Sequence, residues 1–241
     1  KRRVCMSLGR LDIVVNTAGI TRFGTIDAVS RRDWERTIAI NLTGTAALGH
    51  WAAAHWREQG PEPGRSIINT SSAVGLAPGA GNPMYVAAKA GVAALTIALA
   101  DELAELGVRV NALAPVGRSR ISEFVAANIM KSDFMKPVEQ GFDRMAPENV
   151  GAVVAFLASP LCRFTGRIFG IVGDDLTVWD GWTVSHHLEN GERIWTPEAL
   201  QTALADVPLQ QQVTDQALKG VHVKPTPTQE VLEALAAVEK A

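Results

Sequence analysis

Three short runs constrain this chain more than anything else in it: LDIVVNTAG at residues 11–19, GRSIINTSS at 64–72 and VRVNALAP at 108–115. Each is apolar and rich in β-branched residues, and each is closed by glycine, serine or proline, the pattern of a strand buried on both faces. The stretches between them have helical character. Ser30 to Asp33 fits a capping box, after which Trp34, Ile38 and Leu42 fall on one side, and the Ala-rich AALGHWAAAHW continues or follows that helix. A long helix is predicted from Pro83 to Leu106, with proline in its first turn and Gly107 where a C-terminal cap belongs. A further helix is predicted over APENVGAVVAFLASP, a fourth strand over GRIFGIVG and a short fifth over LTVWDGW. Strand and helix alternating at this spacing predict a parallel α/β sheet with helices on both faces. In such sheets the working crevice lies beyond the carboxyl ends of the strands, where NTAG, NTSS and APVG would converge.

Composition narrows the function classes. The 241 residues carry 23 Lys and Arg against 25 Asp and Glu, a formal net charge of −2, which is no surface for neutralising nucleic-acid phosphates. Cys5 and Cys162 are the only cysteines, too few for a disulfide framework or a zinc site, and they point to a reducing, cytoplasmic setting. Arg10 and Asp12 interrupt what would be the apolar core of a signal peptide, and no apolar run reads as long enough to span a bilayer. His50 and His55 miss the i, i+4 spacing of a helical metal pair, and adjacent His186 and His187 would point to opposite faces of a strand, so no metal is expected. The main domain is expected over residues 1–183. A mostly helical C-terminal extension over 184–241 follows, with a helix start at TPEALQ and a last amphipathic helix carrying Val231, Leu232, Leu235 and Val238.

Chemistry concentrates in MYVAAKAG, where the chain's single tyrosine, Tyr85, stands four residues before Lys89, one turn apart on one helix face. A free phenol has a pKa of about 10 and is a poor proton carrier at neutral pH. An ammonium about 4 Å away supplies about 4 kcal/mol to the phenolate at an effective dielectric of about 20, equivalent to about three pKa units. Ser72 closes the preceding strand, where its hydroxyl can reach a substrate oxygen already touching Tyr85; Ser71 is the adjacent alternative. Asn41 follows WERTIAI in a helix, where a buried amide either kinks the helix or holds a water.

The ordered set NTAG, Asn41, NTSS, YVAAK and VRVNALAP resembles the short-chain dehydrogenase/reductase family over residues 11–173. The resemblance implies a Rossmann-like doubly wound parallel sheet. It implies an oxidoreductase moving hydride between NAD or NADP and a secondary alcohol or ketone. It also implies a catalytic set of Asn41, Ser72, Tyr85 and Lys89: Tyr85 is the general acid/base, Lys89 lowers its pKa and holds the nicotinamide ribose, Ser72 polarises the substrate oxygen, and Asn41 supports a water relay to the lysine. Cofactor contacts are implied at Asn16, Ala18, Gly19, Tyr85, Lys89, Pro115 and Ser119. Thr17 departs conservatively from the family's pattern, Val116 stands where glycine is usual, and Ser119 stands for a threonine. The segments APVGRSRIS, APENVGAVVAFLASP and TGRIFGIVGDDLTVWDGW are similar to the branch containing the (3R)-hydroxyacyl-CoA dehydrogenase part of peroxisomal multifunctional enzymes, which implies 3-hydroxyacyl thioester or hydroxysteroid substrates. A homodimer or homotetramer is implied, paired through the Asn41 and Pro83 helices.

No glycine-rich phosphate loop precedes residues 11–19, so the chain reads as an N-terminally truncated member lacking its first strands. The residue that selects NAD or NADP would be lost with them. A fragment and a natural short form both stay open, as does a non-catalytic fragment or interaction module that keeps the fold without cofactor. Without a first strand, the strand at LDIVV is expected at the sheet's edge, with Ile13, Val14 and Val15 beside unpaired backbone groups.

Overall fold

The computed structural model describes residues 9–129 and 133–208. Five strands form one sheet in sequence order: β1 (Ile13–Asn16), β2 (Ser66–Thr70), β3 (Arg109–Val116), β4 (Ile168–Val172) and β5 (Asp175–Trp179). The first four run parallel, with Val15 opposite Ile68, Asn16 opposite Asn69, Asn69 opposite Ala112 and Ala112 opposite Ile168. The fifth is the exception in this otherwise parallel sheet, because β5 returns antiparallel to β4. Gly173, at φ +62°, turns the chain between them, and too few residues intervene for a helical crossover. Among the described residues β1 is an edge strand, as expected, with Ile13 43% and Val15 40% exposed.

Neighbouring residues of one strand feed opposite faces of the sheet. Ile67 packs with Ala52 and Trp56 from α2 (Gly44–Gln59) and with Leu103, Leu106 and Val110. Ile68, the next residue, joins Leu113, Phe169 and Ile171 under Leu157, Val150, Val153 and Val154 of α6 (Pro147–Ala158). The sheet is therefore covered on both sides, as a doubly wound fold requires. Helix α1 (Arg31–Ile38) starts at Ser30, whose hydroxyl accepts from the Asp33 N–H. It runs into α2 through a π-turn at Ala39–Thr43.

Helix α4 (Pro83–Glu102) crosses the same face as α2. It ends earlier than the predicted Leu106: a 3-10 turn at Ala104–Leu106 follows, closed by Gly107 in the left-handed conformation at φ +70°. Its 20 residues, with mean hydropathy 1.5 in their most apolar window, are long and apolar enough to cross a bilayer, contrary to the reading from sequence. Packing accounts for that apolarity, since Met84, Ala88, Val92, Ala93 and Ala100 are buried in the core. A buried amide ladder adds direction. Asn16 Nδ2 donates to Asn69 Oδ1 at 2.7 Å, Asn69 Nδ2 to Thr96 Oγ1 at 3.0 Å, and the Thr96 hydroxyl to the Val92 carbonyl at 2.8 Å. One polar chain thus ties β1, β2 and α4 in register.

Past β5, a segment without helix or strand leads to α7 (Pro197–Ala203), which Thr196 caps by accepting from the Ala199 N–H. The expected last amphipathic helix, and Cys5, lie outside the described residues.

The short helix α3 (Ala73–Leu76) lies so close to α4 that glycine is required at its contact. A Cβ on Gly75 would stand 2.7 Å from the Lys89 carbonyl carbon and 2.8 Å from the Ala90 nitrogen. Gly75→Ala is therefore expected to cost about 1–3 kcal/mol, because backbone on both sides must move. A chemical-denaturation midpoint measures this, and an unchanged midpoint would contradict the close packing.

Candidate active site

The site is assembled where β1 and β2 end and α4 begins. Pro83 opens α4 at its first turn, and Tyr85 follows within that turn. Asn82 occupies the N-cap position, but its side chain does not cap: Nδ2 donates instead to Thr21 Oγ1 at 3.0 Å, tying the helix start to the loop after β1. Gly24 N–H donates to the Gly81 carbonyl at 3.0 Å and makes a second tie.

The two serines separate cleanly. Ser71 is buried, and its hydroxyl donates to the Lys89 carbonyl at 2.8 Å, a structural bond to the helix backbone. Ser72 stands in extended backbone at the N-cap of α3 and makes no capping bond. Its hydroxyl faces the half-buried Tyr85 phenol. Burial pushes that phenol above its ordinary value, and the Ser72 hydroxyl offsets part of the rise.

Lys89 is buried one turn further along α4. Its Nζ donates to the Thr70 carbonyl at 2.7 Å and lies over the Tyr85 ring, 5.5 Å from the centroid. Burial is the larger influence on the phenol and raises its pKa. The lysine itself is the strongly shifted group: at 3% exposure, loss of hydration lowers its pKa from 10.5 to about 8.

Asn41 is fully buried in the π-turn. Its Nδ2 donates to the Ile20 and Thr37 carbonyls, both at 2.9 Å, and its Oδ1 accepts from the Ile20 N–H at 3.3 Å. Of the two expectations for this amide, the structure shows the distorted helix, and π-turns of this kind gather at functional sites. Gly19 lies directly against it. A Cβ there would stand 2.9 Å from Asn41 Oδ1 and 3.7 Å from Lys89 Nζ, so glycine leaves a shallow cradle between amide and ammonium.

The remaining expected cofactor residues are less uniform. Ala18 is exposed at the end of β1. The Asn16 amide points into the sheet toward Asn69, and its Oδ1 is buried with no partner. Pro115 lies within β3, opposite Ile171. Ser119 is the N-cap of α5 (Arg120–Asn128), in a reciprocal capping box with Ser122, so its hydroxyl already serves the helix. Sequence reasoning missed Asn82 and Thr70, whose only signals were an asparagine before a helix-starting proline and a strand-ending carbonyl. Among the described residues no His, Cys, Asp and Glu cluster could hold a metal.

Comparison with known proteins places this geometry in context. A family model described as short chain dehydrogenase matches residues 2–123. The chain is 35% identical over 208 residues to the hydroxyacyl-CoA dehydrogenase ChsB1 of Mycobacterium tuberculosis, covering 83% of this chain and 64% of that protein. It is 34% identical over 178 residues to the 3-oxoacyl-(acyl-carrier-protein) reductase FabG of Thermotoga maritima, covering 71% of this chain and 68% of that protein. A crystal structure of a short chain dehydrogenase from Mycobacterium avium superposes with a TM-score of 0.72 at 37% identity, covering 85% of this chain and 67% of the other. The chain thus spans about two thirds of the length of these relatives.

The Lys89 shift has a definite pH signature. Between about 8 and 10.5 the unfolded chain holds this proton and the folded one releases it, so stability rises with pH across that window. Below it, burying the charge costs about 3 kcal/mol. Lys89→Met is therefore expected to be more stable than the parent at pH 7 and to lose that advantage as pH approaches 10.5. Denaturation midpoints across this range check it, and a pH-independent difference would contradict the shift.

Proposed function

The chain belongs to the short-chain dehydrogenase family, and on that premise we propose that it carries the proton-transfer machinery of an oxidoreductase. The reaction moves hydride between NAD or NADP and a secondary alcohol or ketone. The observation that carries this reading is the Ser72 hydroxyl, free of any capping duty and facing the Tyr85 phenol, with Lys89 one turn further along the helix and its Nζ 5.5 Å from the Tyr85 ring centroid.

The residues present fit a nicotinamide cofactor. Lys89 spends one of its three N–H donors on Thr70, which leaves two for the hydroxyls of a ribose, and the cradle at Gly19 lets such a ring approach. When bound, the nicotinamide supplies or accepts the hydride. Tyr85 and Ser72 receive the substrate oxygen between their hydroxyls, where both donate to a carbonyl and polarise it. In reduction, Tyr85 gives its proton to that oxygen as negative charge develops there; in oxidation it takes the proton back. Its raised pKa keeps the phenol neutral and ready to donate at pH 7. Lys89 stands beside the ring and favours the phenolate left after donation. Asn41 is a positioning residue that holds the loop at Ile20, next to Gly19.

We read the substrate as a 3-hydroxyacyl or 3-oxoacyl thioester, with a hydroxysteroid as the other class. Similarity to a hydroxyacyl-CoA dehydrogenase and to a 3-oxoacyl reductase supports the thioester. A homodimer or homotetramer is part of the same reading. It is supported by exposed Leu48 and Trp51 on α2 and by exposed Ala87 and Ala94 on the outward side of α4. The scarcity of cysteine supports a cytoplasmic setting.

Tyr85→Phe in the intact protein is expected to lower kcat by about 10²–10⁴ while leaving NAD or NADP affinity by calorimetry near the parent's. Undiminished alcohol oxidation or ketone reduction across a broad panel would sink the assignment. Failure of the parent to bind either nucleotide would favour the non-catalytic module. Light scattering on the same protein is expected to show a dimer or tetramer, and a monomer at micromolar concentration would exclude the assembly.

A further inference from the structure

Two loops meet the start of α4, and each is fixed to it separately. On the β2 side, Lys89 Nζ donates to the Thr70 carbonyl at 2.7 Å and the Ser71 hydroxyl to the Lys89 carbonyl at 2.8 Å. These bonds hold the helix against the strand end that leads to Ser72. On the β1 side, Asn82 Nδ2 donates to Thr21 Oγ1 at 3.0 Å and the Gly24 N–H to the Gly81 carbonyl at 3.0 Å. These hold it against the loop that carries Ala18 and Gly19, which Asn41 in turn fixes by both backbone groups of Ile20. Tyr85 lies between the two sets. A hydrogen bond from the Val86 N–H to the Asn82 carbonyl, 3.1 Å long, encloses it in the first turn.

Asn82 makes its tie instead of capping the helix. An asparagine at an N-cap ordinarily turns its side-chain oxygen onto the N–H of the second or third helical residue, here Met84 or Tyr85. The Asn82 backbone stands at φ −154° and ψ 51°, away from the extended geometry of a cap, and Nδ2 reaches across to Thr21. Its Oδ1 is buried and finds no partner among the described residues. An unpaired buried amide oxygen is unfavourable, so helix stability does not account for the arrangement.

We infer that Asn82 is a positioning residue for Tyr85: through Thr21 it fixes the phenol relative to the loop after β1. The inference rests on the reading of Tyr85 as the proton carrier and of that loop as the support of the nicotinamide. In ketone reduction the carbonyl carbon takes hydride while its oxygen takes the Tyr85 proton. Hydride donor and phenol therefore have to face two adjacent atoms at once. Binding tolerates a small displacement between them and turnover does not, since a misplacement of about 1 Å can cost on the order of a hundredfold in rate. A residue that sets this separation acts on kcat, not on KM.

The test uses the intact protein and takes the tie apart from both ends. Asn82→Ser keeps a good N-cap residue whose shorter side chain does not reach Thr21. Thr21→Val removes the acceptor, and Thr21→Ser keeps it. Asn82→Ser and Thr21→Val are each expected to lower kcat about tenfold with KM near the parent's. The double variant is expected to lose no more than either single one, because both remove the same interaction. Thr21→Ser is expected to hold the parent's kcat, and the thermal midpoint of Asn82→Ser to stand at or above the parent's. Losses that multiply in the double variant, or a kcat that falls only in step with the midpoint, overturn the inference. Parent-like kcat in both single variants does so too.

A second readout needs no turnover. Tyr85 is the chain's single tyrosine, so ring-fluorinated tyrosine gives one fluorine NMR resonance whose titration follows this phenol alone. Burial is the larger influence on the phenol and holds it above its ordinary value. Releasing the turn, with Ser72 and Lys89 unchanged, is expected to bring the titration of Asn82→Ser and Thr21→Val down toward that of free fluorotyrosine. A titration unmoved in both overturns the positioning role. If Tyr85→Phe retains full activity, the proton-transfer assignment falls while this titration still decides whether Asn82 and Thr21 seat the ring.

Discussion

The close approach of α4 to α3 and to the π-turn is the constraint from which the site follows. Gly75 admits the α4 backbone, and Gly91 of α4 accommodates Leu42, where a Cβ would stand 2.9 Å from the leucine side chain. Ala88 and Ala93, both fully buried, let α4 seat closely in the core. A helix seated this deeply carries whatever stands on its inner face into the interior. At Lys89 that is an ammonium, which must find acceptors, and it finds the carbonyl where β2 ends. Its lowered pKa is the electrostatic record of how tightly the helix is seated. The same seating puts Tyr85 within reach of Ser72 and lets Ser71 bond the lysine's own carbonyl.

The two ends of the sheet use their cations differently. At the amino end, Arg65 stacks against Trp56 at 5.7 Å and donates to the Gly60 carbonyl at 2.7 Å and to Glu62 at 3.1 Å. Arg109 donates to the Leu157 and Ser159 carbonyls and so closes the C-terminal end of α6. The Nη groups of both guanidiniums donate to the protein itself and serve the fold. At the carboxyl end Lys89 keeps donors in reserve. This asymmetry matches the rule that open α/β sheets bind ligands beyond the carboxyl ends of their strands.

Much of this was legible in residue order. Strands at IVVN, SIINT and IFGIV announce themselves through β-branched runs with sharp ends, and Pro83 marks the start of α4 to the residue. Tyr85 and Lys89 were legible because helical spacing is arithmetic. Ser72 was separable from Ser71 only through its spacing to the tyrosine, and the physical distinction, one hydroxyl spent on a carbonyl and the other not, requires the packed helix. Features that depend on partners distant in sequence were not legible. The π-turn at Asn41 needs Ile20 to receive the amide. The direction of β5 depends on Gly173, whose positive φ no neighbouring residue advertises. The placement of Lys89 over the Tyr85 ring depends on the Thr70 carbonyl, a backbone group that no side-chain pattern marks.

The π-turn at Ala39–Thr43 has a bearing on which kinds of variation this fold can absorb. A π-turn is an α-helix carrying one surplus residue. Exchanging side chains leaves that surplus in place, whereas removing one residue lets the helix heal. At 3.6 residues per turn, healing rotates everything beyond it by about 100° relative to everything before. Leu42 would leave Gly91, Asn41 would leave Ile20, and Trp56 at the far end of α2 would leave the Leu11 carbonyl to which its indole donates at 2.7 Å. Length in this helix is therefore held more strictly than identity. A residue added or removed in the loops on either side, by contrast, leaves these three contacts in phase.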